Sequence, residues 1–220
     1  RRLTAEYVTA RALVESHTLA EATPKILQGI CEALGWEHGA LWEVDAKAQV
    51  LRYTECCHSP KVSFPRFDAA SRERTFAPGV GLPGRVWSSK RPAWIPDVAK
   101  DENFPRAHVA SREGLHAAFG FPILHDGVVL SVMEFFSREI REPDQELLRM
   151  LTTVGNQIGL FLERKRAGTA YVKLRQPAFA PSSTKFGLAA LASSIPFLIT
   201  RMSLTSSTNP LSHELPTINR

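Results

Sequence analysis

Three groupings in this sequence have the residue types and spacing that chemistry asks for. Gly79-Val-Gly-Leu-Pro-Gly84 spells G-x-G-x-x-G. Such a loop binds a pyrophosphate when a strand leads into it, a helix leaves it and an acidic residue follows about 20 positions on. Here Arg72-Glu-Arg-Thr-Phe-Ala-Pro78 precedes it and does not read as a strand, and Pro83 removes an amide that a phosphate could use. The glycines read instead as a turn entering a short helix. Cys56 and Cys57 are adjacent on a strand, so their side chains point to opposite faces and cannot converge on one metal ion. They read as structural thiols. His38, His58, His108, His116 and His125 are scattered, with no ligand pair spaced along one helix, so no metal site is expected. No Ser/His/Asp, Cys/His or paired-carboxylate arrangement stands out, and no turnover is expected of this chain.

The clearest site information lies in His116–Ile123. On a strand, Ala117, Phe119, Phe121 and Ile123 share one face, and His116, Ala118 and Gly120 share the other. The bulky face should pack on helices, and the small face leaves room for a ligand pocket. Ser131, Met133 and Phe135 of the following strand are placed on the pocket side unless a bulge swaps them. The candidate binding residues follow. Trp87, Trp94 and Phe104 give aromatic walls, His108, Arg112 and His116 give polar groups, and Ala118, Gly120, Met133 and Phe135 give the floor. Residues 94–112 would form the lid. The competing reading is that Ala118 and Gly120 only let small helices pack closely.

The elements that must position these residues can be read from periodicity. Residues 3–17 form a helix with a heptad stripe of Leu3, Tyr7, Ala10 and Val14. Leu19–Leu34 is a second amphipathic helix, stopped by Gly35. Strands follow at His38–Val44 and Gln49–Cys57, then a long mixed region to Gly114 with short helices at Ala69–Arg74 and Pro83–Ser89 and a short strand at Pro92–Ile95. Leu115–Leu124 and Val128–Ser137 form a hairpin around Asp126-Gly127. Pro143–Ala167 is the last helix, with Pro143 at its first position and a stripe of Leu147, Leu151, Val154, Ile158 and Phe161. This order makes an α+β fold, with helices on one face of an antiparallel sheet and the long insert covering a pocket on the other. Loops of this length are usually lids or disordered segments, and the aromatic residues of the insert argue against disorder.

The chain has 220 residues with a net charge of +5. Residues 167–220 hold five Lys and Arg against one Asp or Glu, so residues 1–166 are close to neutral and offer no footprint for nucleic acid. The cysteine usage fits a reducing, cytoplasmic setting. No run of 18 apolar residues exists, so no membrane span is expected. Residues 167–220 are rich in Ser, Thr and Pro and read as a low-complexity, weakly ordered tail.

The run Phe76-Ala-Pro-Gly-Val-Gly-Leu-Pro-Gly-Arg-Val-Trp87, with Arg91-Pro-Ala-Trp-Ile-Pro-Asp97, resembles the central segment of bacterial GAF domains. Gly114–Ile123, Val132–Asp144 and the closing helix through Gly155-Asn-Gln-Ile-Gly159 to Arg166 are similar to the family's remaining elements. The run resembles the sensory GAF modules of multi-sensor PAS/GAF histidine kinases. The resemblance covers about three quarters of the chain and implies three parts: residues 1–17 as a signalling and dimer helix, 18–166 as the GAF domain, and 167–220 as the tail. It implies a six-stranded antiparallel sheet, an unidentified small-molecule ligand, and a homodimer held by Leu3, Tyr7 and Val14 with Leu147, Leu151, Val154, Ile158 and Phe161. The expected function is sensory: ligand binding relayed through the terminal helices in two-component signalling. The alternatives are a dimerisation scaffold that binds no ligand, and a fragment of a sensor kinase whose catalytic core lies elsewhere. Kinases of this kind continue past the last helix, and the tail shows no such continuation, so the output domain is expected in trans or lost. Family members that reduce methionine sulfoxide use cysteines of the central loops, and positions 58–220 have none. The same absence leaves no covalent bilin site near Gly114. No haem is expected, with His108 and His116 as its axial candidates. Ser212-His-Glu-Leu-Pro-Thr217 bears a faint likeness to a phosphoacceptor box, but Pro216 and its surroundings do not suit the long helix such a box needs.

Overall fold

The structure, a computed structural model, describes residues 1–60 and 62–175. The expected low-complexity character of residues 176–220 and the phosphoacceptor-like segment therefore lie outside the described residues.

Two helices open the chain, α1 (Arg2–Val14) and α2 (Leu19–Leu34). The start of α2 is written in Thr18-x-x-Glu21. The Thr18 hydroxyl accepts the Glu21 amide, and the Glu21 carboxylate reaches back to the amide of His17. Gly35 at φ +70° ends it. Strands β1 (His38–Asp45) and β2 (Val50–His58) follow. The insert holds α3 (Pro65–Arg72), β3 (Thr75–Phe76), α4 (Gly81–Ser89), β4 (Ala93–Ile95), a 3-10 turn at Val98–Lys100 and α5 (Ala107–Arg112). The hairpin β5 (Ala118–His125) and β6 (Val128–Phe136) turns on Asp126 and Gly127, both at positive φ, as a tight two-residue turn requires. The six strands form one antiparallel sheet in the order β3-β2-β1-β6-β5-β4. No helix among the described residues is long and apolar enough to cross a membrane.

The last helix, α6, spans Gln145–Arg175. Its cap is Asp144, whose carboxylate accepts the Leu147 amide, so Pro143 lies before the helix rather than at its first position. The helix also runs past the expected end near residue 167, into the segment read as low-complexity.

The sheet separates two cores. On the helix side, Ile26, Leu27, Ile30 and Leu34 of α2 and Leu147, Leu151, Val154 and Ile158 of α6 pack on Phe119, Phe121, Ile123, Met133 and Phe135. On the insert side, Phe64, Phe67, Phe76, Leu82, Val86 and Phe104 pack on Trp42, Ala118, Val132 and Phe136. The alternation expected for β5 holds, with Ala117, Phe119, Phe121 and Ile123 all toward the helices.

The α6 stripe is a correction. Leu147, Leu151, Val154 and Ile158 are at most 4% exposed and belong to the domain's own core, not to a dimer seam. A heptad stripe on a helix looks alike whether it meets a partner helix or a sheet. Burial of a Leu or Ile contributes about 1.5–3 kcal/mol, and the sheet is already adjacent. Phe161, one turn further on, is half-buried. The α1 stripe is the reverse case. Leu3, Tyr7, Ala10 and Val14 are exposed, while Ala5, Thr9 and Ala12 make the buried face.

Candidate functional site

The space directly over Gly120 is occupied by α4. A side chain at Gly120 would meet Val86 and Leu82 of α4 at 3.3 and 3.4 Å, so the small residues of β5 let that helix sit directly on the sheet. The glycine loop before α4 is explained the same way. Gly79 and Gly81 have φ of +83° and +64°, and a Cβ on Gly84 would lie 2.3 Å from the Ala77 carbonyl. The Gly79, Gly81 and Gly84 amides go to Gly84 O, Asn103 Oδ1 and Val80 O, so this turn has those three already committed within the protein. Arg85 and Asp101 lock the same turn from outside at 2.9 and 3.0 Å.

The candidate binding residues are distributed, not gathered. Phe104, Ala118 and Gly120 are buried on the insert side, with Trp87 half-buried at its margin. Met133 and Phe135 point to the helix layer, because their partners Phe121 and Phe119 in the β5–β6 register do so. The register shift between Ile123 and Leu124 makes alternation counted from the turn come out wrong. Trp94 also leaves the expected lid. It pairs with Phe119, packs on Trp36 with ring centroids 5.3 Å apart, and donates its indole N–H to Arg141 O. His108 and Arg112 are exposed on α5. His116 is half-buried and bonded through Nδ1 to Asp97 at 3.1 Å. Burial would raise the Asp97 carboxyl, but the hydrogen bonds from His116 and the Ala99 amide hold it below the usual carboxylate range.

Two polar groupings that the sequence reading missed lie inside the insert-side core. The first is Arg106 with Glu134, both side chains fully buried. The guanidinium donates to both carboxylate oxygens at 2.8 and 2.7 Å, and its Nη1 also reaches Ser71 Oγ at 2.9 Å. Trp42 Nε1 donates to Glu134 Oε1 at 2.7 Å. The rings of Trp42, Phe67, Phe76, Phe104 and Phe136 surround the cation at 4.7–5.4 Å. Arg106 Nε has no partner. This pair stands opposite Gly120, since Gly120 and Glu134 are cross-strand neighbours. The one available sequence signal was Glu134, the only charged residue of strand β6.

The second grouping joins His38 of β1, His58 of β2 and Asp68 of α3. His38 and His58 are direct cross-strand partners. His38 Nε2 lies 2.9 Å from Asp68 Oδ1, and His58 Nε2 lies 2.9 Å from Asp68 Oδ2. Burial lowers the His38 imidazole below its ordinary value despite the pull of Asp68. Asp68 is raised by burial, but the His38 hydrogen bond and the nearby charges of His38, His58 and Arg72 take it net below the carboxylate range.

Comparison with known proteins agrees with this fold. A profile described as GAF domain matches residues 16–163. Protein NLP1 of Arabidopsis thaliana is 28% identical over 161 residues, covering 63% of this chain and 18% of that protein. The chain thus spans less than a fifth of that plant protein's length. The GAF domain of a phosphoenolpyruvate-protein phosphotransferase from Coxiella burnetii superposes with a TM-score of 0.63 at 16% identity, covering 77% of this chain and 99% of that one. A domain assigned to a two-component sensor histidine kinase of Sinorhizobium meliloti gives 0.55 at 18% identity, covering 72% and 99%. This chain belongs to the GAF domain family, whose members are often used for small-molecule sensing and signalling.

Proposed function

We propose that this chain is a signal-relaying GAF module that works as a homodimer through α1 and α6, with the space over its sheet occupied by its own side chains. It has no catalytic turnover in this reading, and its output domain is elsewhere in a longer protein or a separate chain. A cytoplasmic setting goes with the three free thiols. The carrying observation is the solvent face of the helix layer. Leu3, Tyr7 and Val14 of α1 are 65–86% exposed, and Leu160 of α6 is 49% exposed. An apolar groove of about 370 Å³ lies between the C-terminal part of α1 and α6, lined by Leu13, Val14, Leu160 and Phe161. Four heptad-spaced positions on α1 are self-complementary, which suits a second copy of the chain. Sedimentation velocity of the full chain should show a dimer, and Tyr7→Glu with Leu160→Glu should give a folded monomer. A wild-type monomer at high micromolar concentration would contradict the proposal.

The second reading is a sensor whose small-molecule ligand replaces Arg106. One observation favours it: Arg106 caps the six-residue helix α5 and keeps a buried, unpartnered Nε. Swinging α5 away would expose an aromatic cage with the Glu134 carboxylate at its base, and the ligand would have to replace the guanidinium's bonds to it. Native mass spectrometry of the purified full chain separates the two readings. A stoichiometric adduct that Glu134→Gln removes supports the sensor. A dimer of bare polypeptide mass supports the self-filled module.

A further inference from the structure

We propose that His38, His58 and Asp68 form a binding site for one divalent first-row transition-metal ion. The proposal does not rest on the dimer or relay reading, and its test does not read either.

The three donors come from three different elements, and the fold alone brings them together. His38 and His58 face each other across β1 and β2 with ring centroids 5.2 Å apart. Asp68 enters from α3 with one carboxylate oxygen beside each imidazole. The donor atoms all lie within 4.8 Å of one another. A zinc-like ion with nitrogen and oxygen ligands at about 2.0–2.2 Å needs donors roughly 3.3 Å apart.

Simple hydrogen bonding leaves part of this arrangement unexplained. His38 Nε2 is satisfied by Asp68. His58 Nε2 is equally close to the other oxygen, yet it is not directed at it and counts as a buried nitrogen without a hydrogen bond. A nitrogen held beside a carboxylate without a hydrogen bond to it is left with a lone pair or proton to satisfy, which a metal ion would do. The surroundings also suit an ion. Phe64, Phe67 and Phe136 ring His38 at 5.4–6.0 Å and keep bulk water from the inner side. The His58 side chain is 24% exposed, so the cluster lies near the surface on that side. Two imidazoles and one carboxylate select zinc, cobalt, nickel or ferrous iron over magnesium or calcium, which prefer all-oxygen sites.

Linear spacing could not have shown this site, because its members are 20 and 10 residues apart on two strands and a helix. Bound metal would tie β1 and β2 to α3, fixing the insert on the sheet.

The test uses tag-free full chain, stripped with chelator and titrated with Co²⁺ and then Zn²⁺. One equivalent of Co²⁺ should bind, giving visible d–d bands of a four- or five-coordinate nitrogen/oxygen site, and Zn²⁺ should displace it. His58→Gln changes the most accessible ligand and should weaken Zn²⁺ affinity about 100-fold while leaving the circular dichroism spectrum unchanged. Asp68→Asn should lower affinity as well. The proposal is overturned if the folded wild type takes up no stoichiometric Co²⁺ or Zn²⁺ at pH 7.5. It is equally overturned if His58→Gln binds both as the wild type does, since the ion then sits elsewhere.

Discussion

Arg106 and Glu134 decide what the interior of this domain is. A fully buried ion pair is costly to desolvate, and its two charges hold each other in place. Removing one partner strands the other, so Arg106→Met or Glu134→Leu alone should lower the unfolding free energy by about 3–5 kcal/mol. The double variant restores an apolar interior among Trp42, Phe67, Phe76 and Phe136 and should cost much less than the sum. Urea denaturation of the four proteins measures this, and additive losses would show that the pair is not one unit. Asp97 gives a second test, in pH. Against the upward push of burial, its carboxyl is held below the usual carboxylate range in the folded protein by the His116 and Ala99 hydrogen bonds, so the folded state binds fewer protons than the unfolded chain in that range. Its stabilisation is therefore present above about pH 4 and fades as the pH falls through the lowered value. Asp97→Asn should cost about 1 kcal/mol at pH 7, the scale of one hydrogen bond, and progressively less as the pH falls through the lowered value. A gap that does not shrink as the pH falls below about 4 would mean the loss is steric.

At the scale of elements, α6 is held by what its glycines lack. A Cβ on Gly155 would sit 2.1 Å from Pro122 O, and one on Gly159 would sit 1.8 Å from Leu124 O. The helix therefore lies on the backbone of β5. In an exposed helix, glycine to alanine gains about 1 kcal/mol. Here Gly159→Ala must push the helix off the sheet and should cost about 1–3 kcal/mol instead. A raised melting temperature for this variant would mean α6 is not seated as described. These glycines also mark how far the sequence could be read. The helices, the two long hairpins and the inward face of β5 follow from period and turn chemistry. Which neighbour a stripe faces does not, so Leu147, Leu151, Val154 and Ile158 suited a dimer seam as well as a core. The site was less legible still. Met133 and Phe135 sit on the side opposite to the one expected because of one register shift. The Arg106–Glu134 pair joins positions 28 residues apart that share no local pattern.

At the scale of the molecule, the question is whether the two faces of the sheet communicate. The insert presses on β5 through Leu82 and Val86, and α6 presses on the same strand from behind through Gly155 and Gly159. The opposite side of α6 carries Leu160 beside the exposed stripe of α1. A displacement of β5 thus has one rigid path to the surface proposed to dimerise. Gly120→Ala probes that path from the far side. Its Cβ would meet Val86, Leu82 and Met133 O at 3.2–3.4 Å, tight enough to move the strand slightly without breaking the fold. No dimer-face residue is altered. If the faces are coupled, the dimer dissociation constant should change at least about 5-fold, the lower end of usual coupling between distant sites. Sedimentation equilibrium of wild type and variant measures it, with thermal unfolding as the control for folding. An unchanged constant in a folded variant would make the helices static dimer contacts. The relay would then fail while the dimer stood, because a ligand or cue acting on the insert can shift assembly only as far as the two are energetically linked.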